Sequence, residues 1–437
     1  MKSIKSFYYF SKLLGLCPFA LDGTVVMGNA RFNYVKQLLP TYLALLFYTV
    51  CLVSIFWQSG NTSDISNAAN WIQFIPNSFA YIFALIFAIR HRAVSSEILA
   101  TFSMCDEKLR TMFGISYTIA NIKMKRISIL ACIVTLTCGG ALSGLNYMIG
   151  VNLARIWTLF YWISFCMPKF GLLLFNFQFA GCIMFLSDRS ALLLKGMNNF
   201  PNGFEQLQFK AMNLSNVPQL PHHHQPHHAH DKKLNRITTL GTIKIRPISA
   251  ADAIQNIREV VEHLQDLSIK INDCYGKQAI FSLLSAFICV TVQLYYMLNH
   301  IKSGFSQSRS EIYALAACSM LFLHGVEFWS LFTSGENVRG EWKKVINYLY
   351  FMKSKSNEEE FRSKADDLIS FMTANPLEFN AYGLFPIDLS VISGIASSIT
   401  TYLIVLIQFK ISEDQANGDD SDINDPINSN KMQFSAS

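Results

Sequence analysis

The chain has 437 residues, of which 51% are hydrophobic and only 15% are charged. Soluble domains carry about 25% charged residues, so this composition excludes an ordinary soluble domain and is typical of a membrane protein. The formal net charge of +6 is modest, and no nucleic-acid partner is expected.

Seven apolar stretches are each long enough to cross a bilayer core of about 30 Å. They lie at 38–58, 72–89, 127–149, 156–186, 279–298, 312–332 and 389–409. The fourth stretch is long and contains Pro168-Lys169, which predicts either a kink or a projection beyond the bilayer. We therefore predict an all-α membrane protein with seven transmembrane helices.

The distribution of basic residues predicts the orientation of these spans. Thirty of the 36 Lys and Arg residues fall on one side of the predicted topology and five on the other, with Lys169 inside a span. The positive-inside rule then places the N-terminus in the cytoplasm and the C-terminus outside the cell. Asn61 begins a glycosylation sequon, Asn61-Thr62-Ser63, in the first outward loop of this topology.

A G-protein-coupled receptor has the opposite orientation. The sequence also lacks the Asp-Arg-Tyr and Asn-Pro-x-x-Tyr motifs of that class at the third and seventh spans. Seven spans alone therefore do not indicate such a receptor here.

Three cytoplasmic segments carry apolar residues at helical spacing. One runs into the fifth span, one continues the sixth and one precedes the seventh: Ile254, Ile257, Val261, Leu264 and Ile271; Val338, Trp342, Val345 and Leu349; Phe361, Ala365, Leu368 and Met372. Amphipathic helices need partners for their apolar faces, either within one subunit or between subunits. We expect helical cytoplasmic extensions that form an anchor domain shared between subunits.

These patterns divide the chain into four parts. Residues 1–332 hold the N-terminal segment and six spans, 333–388 the anchor helices, 389–409 the seventh span and 410–437 an acidic extracellular tail. A His-rich tract at 221–230 lies in an insert near 200–245, and its six His residues either bind Zn²⁺ or belong to a disordered insert. We expect disorder, with no metal and no cofactor.

Several side chains are candidates for a ligand site. Aromatic and amide groups gather in the outer halves of the spans, and they suit a sugar or a flat alkaloid, although Trp and Tyr also anchor helices at membrane surfaces. They are Tyr147, Trp157, Tyr161, Trp162, Gln293, Tyr295, Tyr296 and Tyr313. His324 and Glu327 share one face of the sixth span and either pair structurally, with each other or Lys169, or take part in ligand binding or gating.

The seventh span is the strongest candidate for a pore. Ser390, Ser393, Ser397, Thr401 and Gln408 fall within about 80° of arc on one helical face. Lipid cannot satisfy a polar stripe, so this face either lines a wet path around a symmetry axis or is buried within its own bundle. No phosphate-binding Gly loop, metal-ligand set or nucleophile motif occurs, and we expect neither catalytic residues nor an enzyme.

The end of this span carries the motif Thr401-Tyr402, five apolar residues and Gln408-Phe409, which resembles the terminal signature of insect gustatory receptors. The stretch 381–388 looks like the turn that precedes the last span in that family, with Tyr382 where a small residue is common. The opening segment 7–18 resembles the fructose-receptor branch, and also a broader branch of orphan and bitter or light-linked receptors.

This resemblance implies a ligand-gated cation channel in the plasma membrane of sensory neurons. It implies a homo-tetramer or a hetero-oligomer with related receptors, and it favours the pore interpretation of the polar stripe. The implied partners are a small-molecule tastant, cations and the lipid bilayer, with a sugar such as fructose as the expected ligand. The alternatives are a bitter or orphan ligand, or a seven-span receptor or carrier that conducts no ions. We expect Gln408 and Phe409 to belong to the gate.

Overall fold

The computed structural model describes residues 5–17, 30–58, 65–113, 155–198, 250–302 and 308–423. The predicted third span, Tyr147, the Asn61 sequon and the His-rich insert lie outside these residues. Within the described ranges the chain forms nine helices and no strand: α1 Lys5–Leu13, α2 Ala30–Gln58, α3 Ile65–Arg90, α4 Arg92–Phe113, α5 Arg155–Asn198, α6 Ala250–Lys302, α7 Ser308–Lys355, α8 Glu359–Ala374 and α9 Ser390–Ile423.

The predicted all-α class is confirmed, and six of the seven predicted spans fall inside α2, α3, α5, α6, α7 and α9. Four described helices contain stretches long and apolar enough to cross a membrane, at Trp71–Arg90, Cys166–Asn198, Asp252–Leu298 and Ser390–Ser412. A shorter apolar stretch, Gln37–Val50, lies in α2. The orientation of the termini stays a prediction.

Three helices are far longer than a bilayer is thick. At 1.5 Å per residue, the 44 residues of α5 and the 53 residues of α6 span about 66 and 80 Å. α5 continues through Pro168 without a break. α5 is therefore long enough for the fourth span to project beyond a bilayer core of about 30 Å, which is one of the two predicted alternatives.

The projecting ends of these helices pack into one apolar core, here called the basal core. It joins α4 and the adjoining halves of α5, α6 and α7 to α8. All three predicted apolar stripes are buried in it, and Trp342 Nε1 donates a hydrogen bond to the Met372 carbonyl oxygen at 3.2 Å. The stripes are therefore covered within one chain.

α4 was not predicted as a helix, and it adds a fourth stripe to the basal core through Ile98, Phe102, Cys105 and Leu109. Interhelical ion pairs fasten it. The Arg189 guanidinium of α5 donates to both Asp106 carboxylate oxygens, at 2.9 and 3.0 Å. Two further pairs join α4 to α6 at 2.6 Å each, Lys108 with Glu259 and Lys270 with Glu97.

A short hairpin, residues 380–386, connects α8 to the start of α9. Asn380 and Pro386 form an isolated antiparallel bridge, and Ala381 and Phe385 share a backbone hydrogen bond of 3.0 Å. The Asn380 backbone amide donates to the Asn272 side-chain oxygen of α6 at 3.1 Å. The hairpin is therefore held against α6 at its base.

Candidate functional site

Polar side chains from four helices meet inside the membrane-spanning bundle in what we call the central polar cluster. One half of it centres on Glu327 of α7, which is 2% exposed. Glu327 Oε2 lies 2.9 Å from His324 Nδ1, and Glu327 Oε1 accepts a hydrogen bond from Asn176 of α5. Asn176 Nδ2 also donates to Ser282 Oγ of α6 at 2.6 Å. Three helices are thus joined through one carboxylate and one amide.

The other half of the cluster centres on Asn77 of α3. Its Nδ2 donates to the Gln73 carbonyl oxygen at 2.7 Å and to Cys289 Sγ at 2.9 Å. Ser285 Oγ donates to Asn77 Oδ1 at 2.7 Å, and Gln293 Nε2 lies 2.9 Å from Gln73 Oε1. α3 and α6 are therefore linked by polar contacts along about two turns of α6.

Ionisable groups inside a membrane are costly, and they normally turn towards partners or a cavity. His324 and Glu327 satisfy this rule by pairing with each other. Lys169 of α5 is 8% exposed, and both Lys169 and His324 lie near Cys289. The structure therefore gathers carboxylate, imidazole, ammonium, amide and hydroxyl groups among buried residues of one bundle, where each hydrogen bond is electrostatically stronger than in water.

The predicted ligand residues divide into three groups. His324, Glu327 and Gln293 belong to the central polar cluster. Tyr295 is buried and Tyr296 half-buried on the next turn of α6, with ring centroids 5.9 Å apart. Side chains of the remaining candidates lie outside the described residues: Tyr147, Trp157, Tyr161, Trp162 and Tyr313.

Sequence reasoning missed the amide and hydroxyl members of the cluster, above all Asn77, Asn176 and Ser282. The signal for them was present. Each is a polar residue within or beside an apolar stretch, where an unsatisfied polar group costs several kcal/mol (about 2–7). Such residues need polar partners on neighbouring helices.

The span in α9 lies outside the bundle, and none of Ser390–Ser412 is buried. This helix packs against α6, and its half-buried residues include Ile395, Ile399 and Leu403. At 100° per residue these lie opposite the predicted polar stripe, and every member of that stripe is exposed. The polar stripe therefore points away from its own subunit, and the alternative in which its own bundle buries it is wrong.

Some stripe hydroxyls bond back to their own helix, as in Thr401 Oγ1 to the Ser397 carbonyl oxygen at 3.0 Å. Of the two gate candidates, Gln408 is exposed and Phe409 is 70% exposed. α9 continues past this point to Ile423, so the first part of the predicted acidic tail is helical.

The start of α9 is held firmly. Asp388 Oδ1 accepts a hydrogen bond from the Ser390 backbone amide at 2.9 Å, and Asp388 Oδ2 lies 2.6 Å from Arg339 Nη2 of α7. Burial tends to raise the pKa of Asp388, but hydrogen bonds from Ser390 and the charge of Arg339 outweigh it, so the pKa is lowered. A Cβ on Gly335 of α7 would overlap the Ile387 carbonyl oxygen, so this close approach requires glycine.

Further along, α9 touches α6 through one aromatic pair. The rings of Tyr402 and Phe287 meet edge to face, with centroids 5.8 Å apart. Phe287 lies between Ser285 and Cys289 in sequence, which places it on the opposite face of α6 from these two cluster residues. α6 therefore touches the central polar cluster on one face and α9 on the other.

Comparisons with known proteins agree with this architecture. Residues 4–413 match the family model described as 7tm chemosensory receptor. Gustatory receptor 2a of Drosophila melanogaster is 24% identical over 82% of this chain and 81% of its own length. Gustatory receptor 68a of the same species is 27% identical, over 37% of this chain and 41% of that protein.

Among solved structures, the insect olfactory receptor OR5 from Machilis hrabei matches with a TM-score of 0.64 and 12% sequence identity. The match covers 93% of this chain and 98% of that one, and at this identity it shows a shared fold. On the family match, the chain belongs to the 7tm chemosensory receptors, a family of receptors and not of enzymes, as the sequence predicted.

Proposed function

We propose that this chain is a subunit of a ligand-gated, non-selective cation channel in the plasma membrane of sensory neurons, with α9 lining the pore. The observation that carries the proposal is the polar stripe of α9, which faces away from its own subunit. Because lipid cannot satisfy such a face, it needs water or other polar groups. Several copies arranged around an axis, as a homo-tetramer or with related receptors, supply both.

The proposed ligand site is the central polar cluster together with Tyr296, which lies three residues beyond Gln293 on the same face of α6. A small-molecule tastant that binds there exchanges hydrogen bonds with Asn176 and Glu327 and shifts α6. The Phe287–Tyr402 contact carries this shift to α9. Ligand binding then favours the open state by the difference in its affinity for the two states.

A sugar such as fructose is the first candidate ligand, because buried amide, carboxylate and imidazole groups can donate to and accept from its hydroxyls. A bitter amine is the second, because the buried Glu327 carboxylate can pair with a cation. The variant Glu327→Gln separates the two. It removes the charge that an amine needs and keeps an acceptor for a hydroxyl.

The pore assignment is tested by expressing the chain in cells without related receptors and recording whole-cell currents against sugars and bitter compounds. Ser397→Cys is then treated with a membrane-impermeant cationic methanethiosulfonate in the presence of an active compound. The matched control is Ser398→Cys, which is equally exposed but lies 100° around the helix. We expect block of the current for Ser397→Cys alone. The wild type treated with the same reagent is the reference for modification of Cys318, which is exposed.

Equal modification of the two variants would contradict the pore assignment, because both faces of α9 would then meet the same environment. Failure of every compound and of every related co-receptor to evoke current, with the protein at the surface, would favour the receptor or carrier that conducts no ions.

A further inference from the structure

The tip of hairpin 380–386 exposes large apolar side chains. Tyr382 is 64% exposed and Leu384 is 70% exposed. The hairpin precedes the first residue of α9, Ser390, so its tip lies beside the point where the seventh span enters the membrane. Neither side chain contributes to the basal core.

The backbone at the tip is strained. Tyr382 has a φ of +51° and Gly383 a φ of +78°, and the Leu384 amide donates to the Ala381 carbonyl oxygen at 3.0 Å. Two consecutive positive φ values match the two-residue hairpin turn that Asn-Gly favours. This conformation is unfavourable for an aromatic residue, and such strain persists where the surroundings impose it. Here the Gly383 amide also donates to Asn380 Oδ1 at 2.7 Å, which holds the turn.

A cation accompanies the exposed ring. Lys277 Nζ of α6 lies 5.3 Å from the centroid of the Tyr382 ring. Within the described ranges Lys277 forms no salt bridge, and it stands two residues before the predicted start of the fifth span at 279. Two independent spans, the fifth and the seventh, therefore place this group of residues at the same membrane boundary.

We propose that Tyr382, Leu384 and Lys277 form a binding site for anionic phospholipid headgroups. The two apolar side chains enter the interfacial layer, where aromatic rings are enriched. The Lys277 ammonium pairs with the lipid phosphate or carboxylate. Its positive charge is opposite to the negative charge of an anionic leaflet and is attracted to it. Since the hairpin leads directly into α9, the bound lipid fixes the depth at which that helix enters the membrane.

The test uses the full chain in nanodiscs of phosphatidylcholine and phosphatidylserine in equal parts, with Tyr382→Trp as a fluorescent probe. Brominated acyl chains are placed on one lipid or the other, and quenching is measured relative to the wild type, which carries only native Trp. Leu384→Trp is a second probe. The matched control is Tyr350→Trp, an equally exposed aromatic position near the far end of α7.

We expect additional quenching for both hairpin probes and none for the control, with brominated phosphatidylserine the stronger quencher. Adding Lys277→Gln to Tyr382→Trp should reduce the preference for phosphatidylserine about fivefold, the factor expected for one Lys at an anionic surface. The absence of additional quenching would overturn the proposal, because the tip would then face water or a neighbouring copy. Quenching that is equal for both lipids and unchanged by Lys277→Gln would overturn the assignment to anionic headgroups.

Discussion

Replacing Asp388 should loosen the first turns of α9 without unfolding the basal core. The variant Asp388→Ala removes the partner of Arg339 and the acceptor that caps the helix at Ser390. Breaking a buried ion pair costs about 3–5 kcal/mol, and losing an N-cap about 1 kcal/mol. The Arg339 side chain is 30% exposed and can regain water, so we expect a total of roughly 2–3 kcal/mol.

Hydrogen exchange measured by mass spectrometry reports the loss of stability at the start of α9 separately from the rest of the chain. Since 1.4 kcal/mol corresponds to a tenfold change in equilibrium, peptides covering 388–398 should exchange roughly 30 to 150 times faster in the variant. Peptides from α8 should keep their protection. Asp388→Asn retains an acceptor for the cap and should fall between the variant and the wild type. Glu378→Gln is the control, because its carboxylate lies 3.8 Å from Arg339 and is half-exposed.

The same contacts determine the pH dependence. The pKa of Asp388 is lowered in the folded protein from its ordinary value of 3.8, because its hydrogen bonds and Arg339 outweigh burial. A lowered folded pKa means that this stabilisation is complete above pH 3.8 and is lost as the pH falls through the folded value. The difference between wild type and Asp388→Ala should therefore be constant at neutral pH and shrink in acid. Unchanged protection of 388–398 in Asp388→Ala would refute the reasoning.

Three further predictions concern the channel in cells. Epitope tags should label the C-terminus on intact cells and the N-terminus only after permeabilisation, and the reverse pattern would contradict both the basic-residue argument and the channel. Deleting 412–437 removes acidic charge that raises cation density within a Debye length of about 8 Å. Single-channel conductance should therefore fall more in low salt than in high salt. A conductance equal to that of the full chain at both salt concentrations would contradict this prediction. Phe409→Ala should produce current without ligand, and Gln408→Ala should alter the ligand-evoked current at equal surface expression. Wild-type behaviour of both variants at the surface would place the gate elsewhere.

The sequence predicted the elements whose signal is periodic. Apolar stretches of membrane length and the three apolar stripes lie in helices, because burial of one face dictates a spacing that is visible in the chain. α4 was not predicted as a helix, because charged residues interrupt its apolar stripe of Ile98, Phe102, Cys105 and Leu109. Several of these charges, such as Asp106 and Lys108, turned out to be partners in interhelical ion pairs.

The candidate site was predicted only in part. His324 and Glu327 stood out because charge is rare inside a span, whereas Asn77 and Asn176 did not. Their importance depends on which helices are neighbours, and helix order around a bundle is not a local property of sequence. The direction of the polar stripe on α9 was left open for the same reason, since a periodic face does not say which side its own subunit occupies.

The continuity of α6 has a consequence for regulation. This helix runs unbroken from the basal core to the central polar cluster, so a movement of one end displaces the other end as well. With the predicted orientation and the proposed ligand site, an event in the cytoplasm that repacks the far end of the basal core, at Ile254, would change the free energy of binding a ligand near Cys289. The two positions are about 50 Å apart at 1.5 Å per residue. By thermodynamic linkage the reverse also holds, and an occupied ligand site alters the affinity of the core for whatever binds it. If the orientation and the ligand site are as proposed, the ligand concentration to which the receptor responds is open to adjustment from inside the cell.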